Sequence, residues 1–468
     1  LGLNMTHISL FTRNVTSCGR WQLMTFAIIA MFLLIIAPAN AQMTVSGLLS
    51  NVVDDPDSEK YASIKDAMVR FGNRDLDGAR TLLDETRSKN PHLPPTNVML
   101  AKLLLASNQL APARSSLEQV TIGEPNDPEP YVLFGELALR ERRITDADQL
   151  IQRAITLSET FTGNDMRKQD LQSRSFRVAF AVSEAREDWI TAKQYAEQWR
   201  TSNGSNSAAR TQLARAQFKL NEEKEAYKTL TELYKEDDTI QRPEITMALL
   251  YEQSDNDARA KALMKLAVDR AGTDLNTRLA VANWAIRNNN VKEAEEHVNQ
   301  ATRLDETSLQ AMLLRGLVAR YSKDWSTAET AFSTAHAQSP ANFDASNQLA
   351  LSLIEQAESE KKRRALEFSQ INAQAFGNAT QPRSREAIVT YAWVLFKMGR
   401  VGDAVNRIRD VTQRGNVRGE SAYFAARILS EAGLGNASAQ LLKPVIDSET
   451  NFPTRHDAIE LFSRVETQ

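Results

Sequence analysis

The side chains best suited to acid–base or metal chemistry in this sequence are histidines, and they are few and scattered. After residue 41 they are His92, His297, His336 and His456. A zinc protease site needs two His ligands one helical turn apart, as in H-E-x-x-H, and no such spacing occurs. We therefore expect surface or helix-end roles for the histidines, and we predict no catalytic residue, metal ligand or cofactor.

Other catalytic patterns are also missing. The sequence has no G-x-x-x-x-G-K-[ST] phosphate loop and no G-x-S-x-G nucleophile turn. Acidic groups at 54–57 and 236–238 fall in predicted turns and are interpreted as solubilising. The basic run 360–364, EKKRR, is interpreted as a solvated helix face, with an anionic partner as the alternative.

The N-terminus has the pattern of a secretory signal. Two arginines precede an apolar run at 23–37, which is shorter than the roughly 20 residues that span a bilayer. Ala39 and Ala41 then take the positions of an A-x-A cleavage site. We predict a signal peptide at 1–41 and a periplasmic or extracellular protein, with an uncleaved membrane anchor as the alternative.

Composition limits the class of protein. The chain has 468 residues, of which 42% are hydrophobic and 25% charged, close to a globular average. Only 18 Gly and 14 Pro disfavour an all-β fold with many turns. The net charge of −3 gives no reason to expect nucleic-acid binding. The single cysteine, Cys18, lies within the predicted signal peptide, so the remaining chain would hold no disulfide.

An alanine recurs in similar surroundings along most of the chain. Its successive separations are 34, 34, 45, 34, 34, 34, 34, 37, 39 and 33 residues. A repeat of this length indicates a solenoid. The recurring positions are Ala79, Ala113, Ala147, Ala192, Ala226, Ala260, Ala294, Ala328, Ala365, Ala404 and Ala437.

Each recurring alanine predicts a packed helix pair. In most copies a small residue lies twelve positions earlier, such as Gly316 before Ala328, and a larger apolar residue lies four positions later, such as Phe332. Small side chains on consecutive helices let the two backbones approach closely. The 45-, 37- and 39-residue steps predict a longer connection at 156–175, longer helices near the basic run, and a loop at 375–384.

The unit resembles the tetratricopeptide repeat (TPR), most clearly in the copy at 309–342, with Gly316, Ala328, Phe332, Ala335 and Pro340. The resemblance implies an all-α, right-handed superhelical solenoid of about eleven TPR-like helix–turn–helix repeats. We place a linker at 42–59, the solenoid at 60–450 and a C-terminal capping helix at 451–468, since a solenoid must cover its last apolar face.

The tryptophans are interpreted by their place in the repeat. Trp189 and Trp325 stand three residues before the marker alanine, where other copies have aliphatic residues, so we predict that they are core residues. Trp199 is also predicted to pack between helices. Trp393 directly follows the small Ala392, so we expect its ring to leave the contact within its pair and face the groove.

The resemblance also implies a binding surface. In TPR proteins the first helix of each unit lines a concave groove that binds peptides or partner helices. Carried over by position, the groove residues here are Arg177, Glu184, Arg215, Phe218, Glu252, Asn283, Arg320, Trp393 and Phe396. The Lys and Asn cluster with which some TPR domains clamp a C-terminal carboxylate is not reproduced.

We therefore predict a non-catalytic, exported scaffold that binds a protein or peptide partner in this groove. By resemblance, its setting would be the assembly of an envelope or polysaccharide-export complex. A structural component that associates with itself is the alternative, and contact with a membrane is expected only through an uncleaved N-terminal segment. An enzyme is the third class, and little chain is left outside the repeats to build one.

Overall fold

The computed structural model describes residues 44–49, 51–202, 207–376, 382–413, 415–448 and 450–466. The predicted signal peptide lies outside the described residues. Within these ranges the chain forms α-helices and one 3-10 turn at Glu59–Tyr61, with no β-strand. The predicted all-α class is confirmed.

The first of two compact units, here called the N-unit, contains eleven helices in its described part. They are α1 (Val45–Leu49), α2 (Ala62–Gly72), α3 (Leu76–Lys89), α4 (Thr96–Ala106), α5 (Leu110–Gly123), α6 (Glu129–Arg140), α7 (Ile144–Glu159), α8 (Asp165–Ala185), α9 (Trp189–Ser202), α10 (Ser207–Lys219) and α11 (Glu223–Glu236). The next helix, α12 (Pro243–Glu252), is divided: Leu249–Asp257 belong to the N-unit and Glu244–Ala248 to the second unit.

The second compact unit, here called the C-unit, continues from Ala258. Its described helices are α13 (Asp257–Ala271), α14 (Leu275–Arg287), α15 (Val291–Leu304), α16 (Leu309–Tyr321), α17 (Trp325–Gln338), α18 (Phe343–Ile354), α19 (Ser359–Ala375), α20 (Pro382–Lys397), α21 (Val401–Gln413), α22 (Gly419–Glu431), α23 (Gly435–Asp447) and α24 (Arg455–Glu466). In sequence order α2 to α23 make eleven helix–turn–helix pairs, which confirms the predicted repeat. We number the pairs 1 to 11 and call the even-numbered helix of each pair its first helix.

The turn inside most pairs contains one residue in the left-handed backbone region. In pairs 1 to 8 this residue is not glycine, and its φ lies between 55° and 64°. In pairs 10 and 11 it is glycine, with φ of 82° and 76°. The residues are Arg74, Asn108, Arg142, Glu187, Asn221, Asp255, Asn289, Lys323, Gly399 and Gly433. One left-handed residue ends a helix and lets its last carbonyls be satisfied by the amides that follow.

Pair 8 illustrates how the sequence builds this turn. The backbone N–H of Asp324 donates to the carbonyl of Ala319 at 2.9 Å, which closes the end of α16 across the left-handed Lys323. The side chain of Asp324 then accepts from the Thr327 backbone N–H at 3.1 Å and caps α17. An N-cap carboxylate satisfies a helix N–H that otherwise lacks a partner. The same few residues therefore end one helix and begin the next.

Close packing inside a pair depends on the small residue of its first helix. A Cβ atom added at Gly316 would lie 2.5 Å from Cζ of Phe332, whose ring rests against the glycine. In pair 3 a Cβ at Gly135 would lie 2.9 Å from the Ile151 side chain. The small and large positions read from the repeat are therefore in direct contact.

Two predicted core residues are less buried than expected. Trp189 and Trp325 are half-buried, because the start of each second helix lies at the edge of the packed surface. The aliphatic residue at the same place in pair 1, Leu76, is itself 38% exposed. Trp199 is buried, and its Nε1 donates to Ser173 Oγ at 3.0 Å.

Both ends of the array carry additional helical structure. Near the N-terminus α1 lies within the region predicted as a linker, and its Leu48 and Leu49 are buried. At the C-terminus α24 packs on α23 and α22 and buries Ala458, Leu461 and Val465. Within each unit, the terminal helical segment covers apolar side chains of the adjoining pairs.

Candidate binding face

The nine predicted groove residues all lie on first helices, in recurring positions. Glu184, Phe218, Glu252 and Arg320 are separated by 34, 34 and 68 residues, so they occupy one register of the repeat. Arg215 stands three residues before Phe218 and marks a second register on the same helical face. Within each unit we call the surface that carries these registers the first-helix face.

In the N-unit, the charged groove residues pair with charges on neighbouring first helices. Arg177 Nη2 of α8 lies 2.8 Å from Glu136 Oε1 of α6. Arg215 Nη1 of α10 lies 2.7 Å from Glu184 Oε1 of α8. Arg177 remains exposed, whereas Glu184 and Arg215 are half-buried. A partner would therefore meet ion pairs on this face and not isolated charges.

A more deeply buried ion-pair network lies beside these pairs. The Glu129 carboxylate of α6 contacts Lys102 of α4 and lies 2.8 Å from Arg167 Nη2 of α8. Burial acts to raise the pKa of Glu129, but the positive charges of Lys102, Arg167 and Arg174 outweigh it and hold the pKa at about 2. This network is not apparent from the sequence, because its residues are distant along the chain and come together only when first helices stack.

Two other groove residues have local partners. Phe218 is buried, and its ring meets that of Tyr251 edge to face with centroids 4.9 Å apart. Half-buried Asn283 donates from Nδ2 to the Leu279 carbonyl at 3.1 Å, inside its own helix. Glu252 on α12 is half-buried. These side chains keep only part of their surface available to a partner.

In the C-unit, Arg320 is held by the last pair. Its Nη1 and Nη2 donate to the two carboxylate oxygens of Glu420 at 3.0 and 2.9 Å, and Nη1 also contacts Gln348. Thr454 Oγ1 donates to Glu420 at 3.2 Å. Arg320 is only 3% exposed. The guanidinium therefore connects pairs 8 and 11, and little of it is open to solvent.

Trp393 leaves the contact within its own pair, as expected, but it is covered by the next one. Its ring stacks on Phe424 of α22 with centroids 4.5 Å apart and on Phe396 at 5.4 Å. Trp393 is 6% exposed, whereas Phe396 is half-buried. The expectation of a ring facing an open groove is therefore not met, since the first helix of pair 11 closes over it. A role for either residue in partner binding stays a prediction.

A half-buried carboxyl group with a raised pKa lies on the same face. Glu386 of α20 accepts a hydrogen bond from Asn347 Nδ2 of α18 at 3.2 Å, and Asn347 is fully buried. Burial raises the pKa of Glu386 to about 7, and the negative charges of Asp344 and Glu420 act in the same direction. Only the stacking of pairs 8 to 11 creates this environment, so neither residue stands out in the sequence.

The residues first considered for catalysis are separate in the structure. His92 Nε2 is 3.0 Å from the Tyr61 hydroxyl, and the His336 ring meets Phe368 edge to face. In the basic run, Lys361 Nζ lies 3.0 Å from Glu329. Among the described residues, no group of three or more His, Cys, Asp or Glu side chains could hold a metal ion. No helix in the described part is long and apolar enough to cross a membrane.

A family model of the tetratricopeptide repeat matches residues 70–131. This segment contains the end of pair 1, all of pair 2 and the beginning of pair 3. The regular helix pairs, together with this match, show an all-α array of TPR-like repeats. None of the curated proteins compared with the chain matches it in sequence.

Several solved structures are similar to the chain at low identity. Yeast Tom70 is 13% identical, with 87% of this chain and 96% of Tom70 covered and a TM-score of 0.36. A tetratricopeptide repeat protein from Parabacteroides merdae is 12% identical, with 62% and 99% covered and a TM-score of 0.34. A human IFIT1 dimer with m7Gppp-AAAA is 15% identical, with 92% and 95% covered and a TM-score of 0.38.

Proposed function

We propose that this protein is a non-catalytic scaffold that binds a protein or peptide along the first-helix face of its repeats. The observation that carries the proposal is the recurrence of Glu184, Phe218 and Glu252 in one register of the N-unit, where the half-buried Glu184 and Glu252 keep part of their surface exposed. Within one unit, a helix pair that repeats about every 34 residues places corresponding side chains in a row. Such a row can make several spatially fixed contacts with an extended partner.

The chemistry of the face indicates a partner with both polar and apolar groups. The N-unit offers the exposed Arg177 and the half-buried pair of Glu184 and Arg215, with a 2.7 Å ion pair between the latter two. The C-unit offers the half-buried Asn283 and Phe396. Neither sign of charge dominates, which favours a protein or peptide over a polyanion such as nucleic acid.

We further propose that the protein acts outside the cytoplasm, in envelope or polysaccharide-export assembly. This part of the proposal is supported by the apolar run at 23–37 and the A-x-A pattern at Ala39 and Ala41. Sequencing the N-terminus of the protein recovered from its native cells would test it. A chain that begins at Gln42 supports export, and a chain that retains 1–41 in the cytoplasmic fraction contradicts it.

Capture of partners from an envelope extract would test the scaffold proposal. We expect Arg177→Ala to reduce recovery of a specific partner, because it removes an exposed cation from the first-helix face. Its loss leaves Glu136 paired with Arg174 at 2.7 Å, so the fold should be preserved. Arg200→Ala is the matched control, since Arg200 is also exposed but lies on a second helix, α9.

A second pair of variants tests the C-unit in the same assay. We expect Phe396→Ala to lower recovery, whereas Ile371→Ala should not, because Ile371 is exposed on the second helix α19. If all four variants recover the partner equally, the first-helix face is not the binding surface. Sedimentation of the unmodified chain would test the alternative of a self-associating structural component. Self-association at micromolar concentration would support that alternative.

A further inference from the structure

The first-helix face of pair 1 is covered by a segment that precedes the helix pairs in the same chain. Ile64 and Phe71 of α2 occupy the registers of Arg177 and Glu184, since each is separated from its counterpart by 113 residues, or three repeat steps. Ile64 is fully buried, and Phe71 packs against the cluster that contains it. The two positions that carry Arg177 and Glu184 in pair 4 therefore carry apolar residues packed into a core cluster in pair 1.

The occupant is the segment 44–53, of which the structure describes residues 44–49 and 51–53. Four of its side chains, Leu48, Leu49, Val52 and Val53, are buried in the same cluster as Tyr61 and Ile64, together with residues of α4. Val45 packs against this cluster as well. The apolar positions Val45, Leu48, Leu49, Val52 and Val53 follow the i, i+3, i+4, i+7, i+8 spacing of an amphipathic helix, and Val45–Leu49 are helical.

The segment has few means of being stable by itself. Its helix, α1, has five residues, and an isolated helix of that length does not persist in water. Thr44 Oγ1 accepts from the Gly47 N–H at 2.9 Å and so caps the short helix. The polar sequence 54–58, DDPDS, then joins the segment to the first pair. Its order therefore depends on the apolar surface that it covers.

A polar contact connects the segment with a later pair. Asn51 Nδ2 donates to Asp170 Oδ1 of α8 at 2.9 Å, 119 residues further along the chain. Asp170 also lies 3.5 Å from Arg174, which belongs to the ion pairs of the first-helix face. The segment thus contacts both the apolar residues of pair 1 and, through Asn51, the charged residues of pair 4.

We propose that the first-helix face of pairs 1 and 2 is a binding site for a short amphipathic helix, and that residues 44–53 are its detachable intramolecular occupant. The partner class is a peptide helix with apolar side chains at i, i+3, i+4, i+7 and i+8. This inference rests on the proposed function of the first-helix face and defines the chemistry of its first subsite. Binding of such a partner requires release of the segment.

The test uses the full chain and a fluorescent synthetic peptide of residues 43–56. Leu48→Glu places a charge in the apolar contact and should release the segment, and Gly47→Glu adds the same charge at an exposed neighbour. We expect the peptide to bind the Leu48→Glu variant at least tenfold more tightly than the unmodified chain or the Gly47→Glu control. The tethered segment competes at a high effective concentration in those two chains. A peptide carrying Glu at the position of Leu48 should not bind.

Equal binding, or no binding, to a Leu48→Glu variant of unchanged helical content would overturn the proposal. Hydrogen exchange on the unmodified chain provides a second measurement that needs no variant. The amides of Val52 and Val53, which donate to the Leu49 carbonyl at 2.8 and 3.1 Å, should exchange well before those of α2. If the amides of Val52 and Val53 exchange at the same rate as those of α2, the segment is an inseparable part of the core. Neither readout uses an extract, so failure here leaves the partner-capture test of the scaffold unaffected.

Discussion

Arg320 and Glu420 form a two-point ion pair across 100 residues of sequence, with N–O distances of 3.0 and 2.9 Å. The pair joins the end of α16 to the start of α22 inside the C-unit. A second connection lies nearby, where Asn451 Nδ2 donates to the Ile286 carbonyl of α14 at 2.8 Å. The C-unit is therefore held together by contacts between distant pairs as well as between neighbours.

Removing the guanidinium should destabilise the C-unit strongly. Arg320→Ala leaves the Glu420 carboxylate, whose side chain is 14% exposed, without its main cation. Breaking one side of a buried ion pair costs about 3 kcal/mol, and urea unfolding would measure it. Arg383→Ala is the control, because Arg383 and Asp344 form an exposed pair at 3.4 Å. Such pairs contribute at most about 1 kcal/mol. A loss at Arg320 no larger than the control would show that Glu420 is adequately solvated.

The stability of the C-unit should fall as the pH rises towards neutrality, because of Glu386. Burial, with Asp344 and Glu420 nearby, raises its pKa to about 7, although Arg383 and Arg320 act in the opposite direction. The folded state thus holds a proton that the unfolded chain releases near its ordinary pKa of 4.5. The stabilisation is complete below about pH 4.5 and is lost as the pH rises through about 7.

Glu386→Gln should remove this pH dependence. The amide keeps an oxygen to accept from Asn347 and carries no charge, so relative to the unmodified chain the variant should gain about 2–3 kcal/mol between pH 4.5 and pH 8. Urea unfolding at several pH values would measure the difference. Glu295→Gln, at an exposed position of α15, is the control and should show no such gain. Parallel stability curves for the variant and the unmodified chain would contradict the assignment.

The left-handed turn of pair 11 should be more stable with glycine than with alanine, for backbone reasons alone. A Cβ atom at Gly433 would meet no other atom within 4 Å, but φ is 76° there. Gly433→Ala should therefore cost about 1–2 kcal/mol in the free energy of unfolding. Gly435→Ala, two residues later and equally unobstructed, lies in α23 without a positive φ and should be neutral or slightly stabilising. Equal effects at both positions would argue against a left-handed turn.

The Phe332 ring should leave too little space for a residue larger than glycine at position 316. With Phe332 Cζ only 2.5 Å from an added Cβ, Gly316→Ala forces the ring to move and should cost about 1–3 kcal/mol. Trimming the ring with Phe332→Leu should cost less in the Gly316→Ala background than alone, which a double-mutant cycle would measure. Gly402→Ala, where no atom lies within 4 Å, is the control. Additive costs would mean that the two positions do not compete for the same space.

The repeat in the sequence predicted the helix pairs because each pair is built locally. A small residue, a marker alanine and a large apolar residue at fixed spacing determine how two adjacent helices pack, as Gly316, Ala328 and Phe332 show. The turn could have been found in the same way, since the left-handed residues have, to within one residue, the same spacing as the marker alanines of their pairs. Among these turn residues only Gly399 and Gly433 are glycine, so the distribution of glycine in the sequence does not reveal the recurring turns.

The contacts that modify the binding face could not be predicted in this way. Burial of Trp393 by Phe424, and capture of Arg320 by Glu420, depend on angles between pairs that accumulate along the C-unit. The cover over pair 1 was not predicted because its apolar residues, from Val45 to Val53, precede the first repeat, in the region assigned as a linker. Periodicity identifies the positions that form a face, but it does not show which of them another part of the chain covers.

The contacts of Arg320 with Glu420 and of Asn451 with Ile286 also change how the C-unit must fold. A linear repeat array can nucleate at any pair and grow by adding neighbours, so its ends can unravel separately. Here the final residues complete their contacts only after pairs 7 and 8 are in place, which raises the mean sequence separation of contacts and slows folding. The C-terminal pairs should consequently unfold together with pairs 7 and 8, as one cooperative block that does not fray from its end.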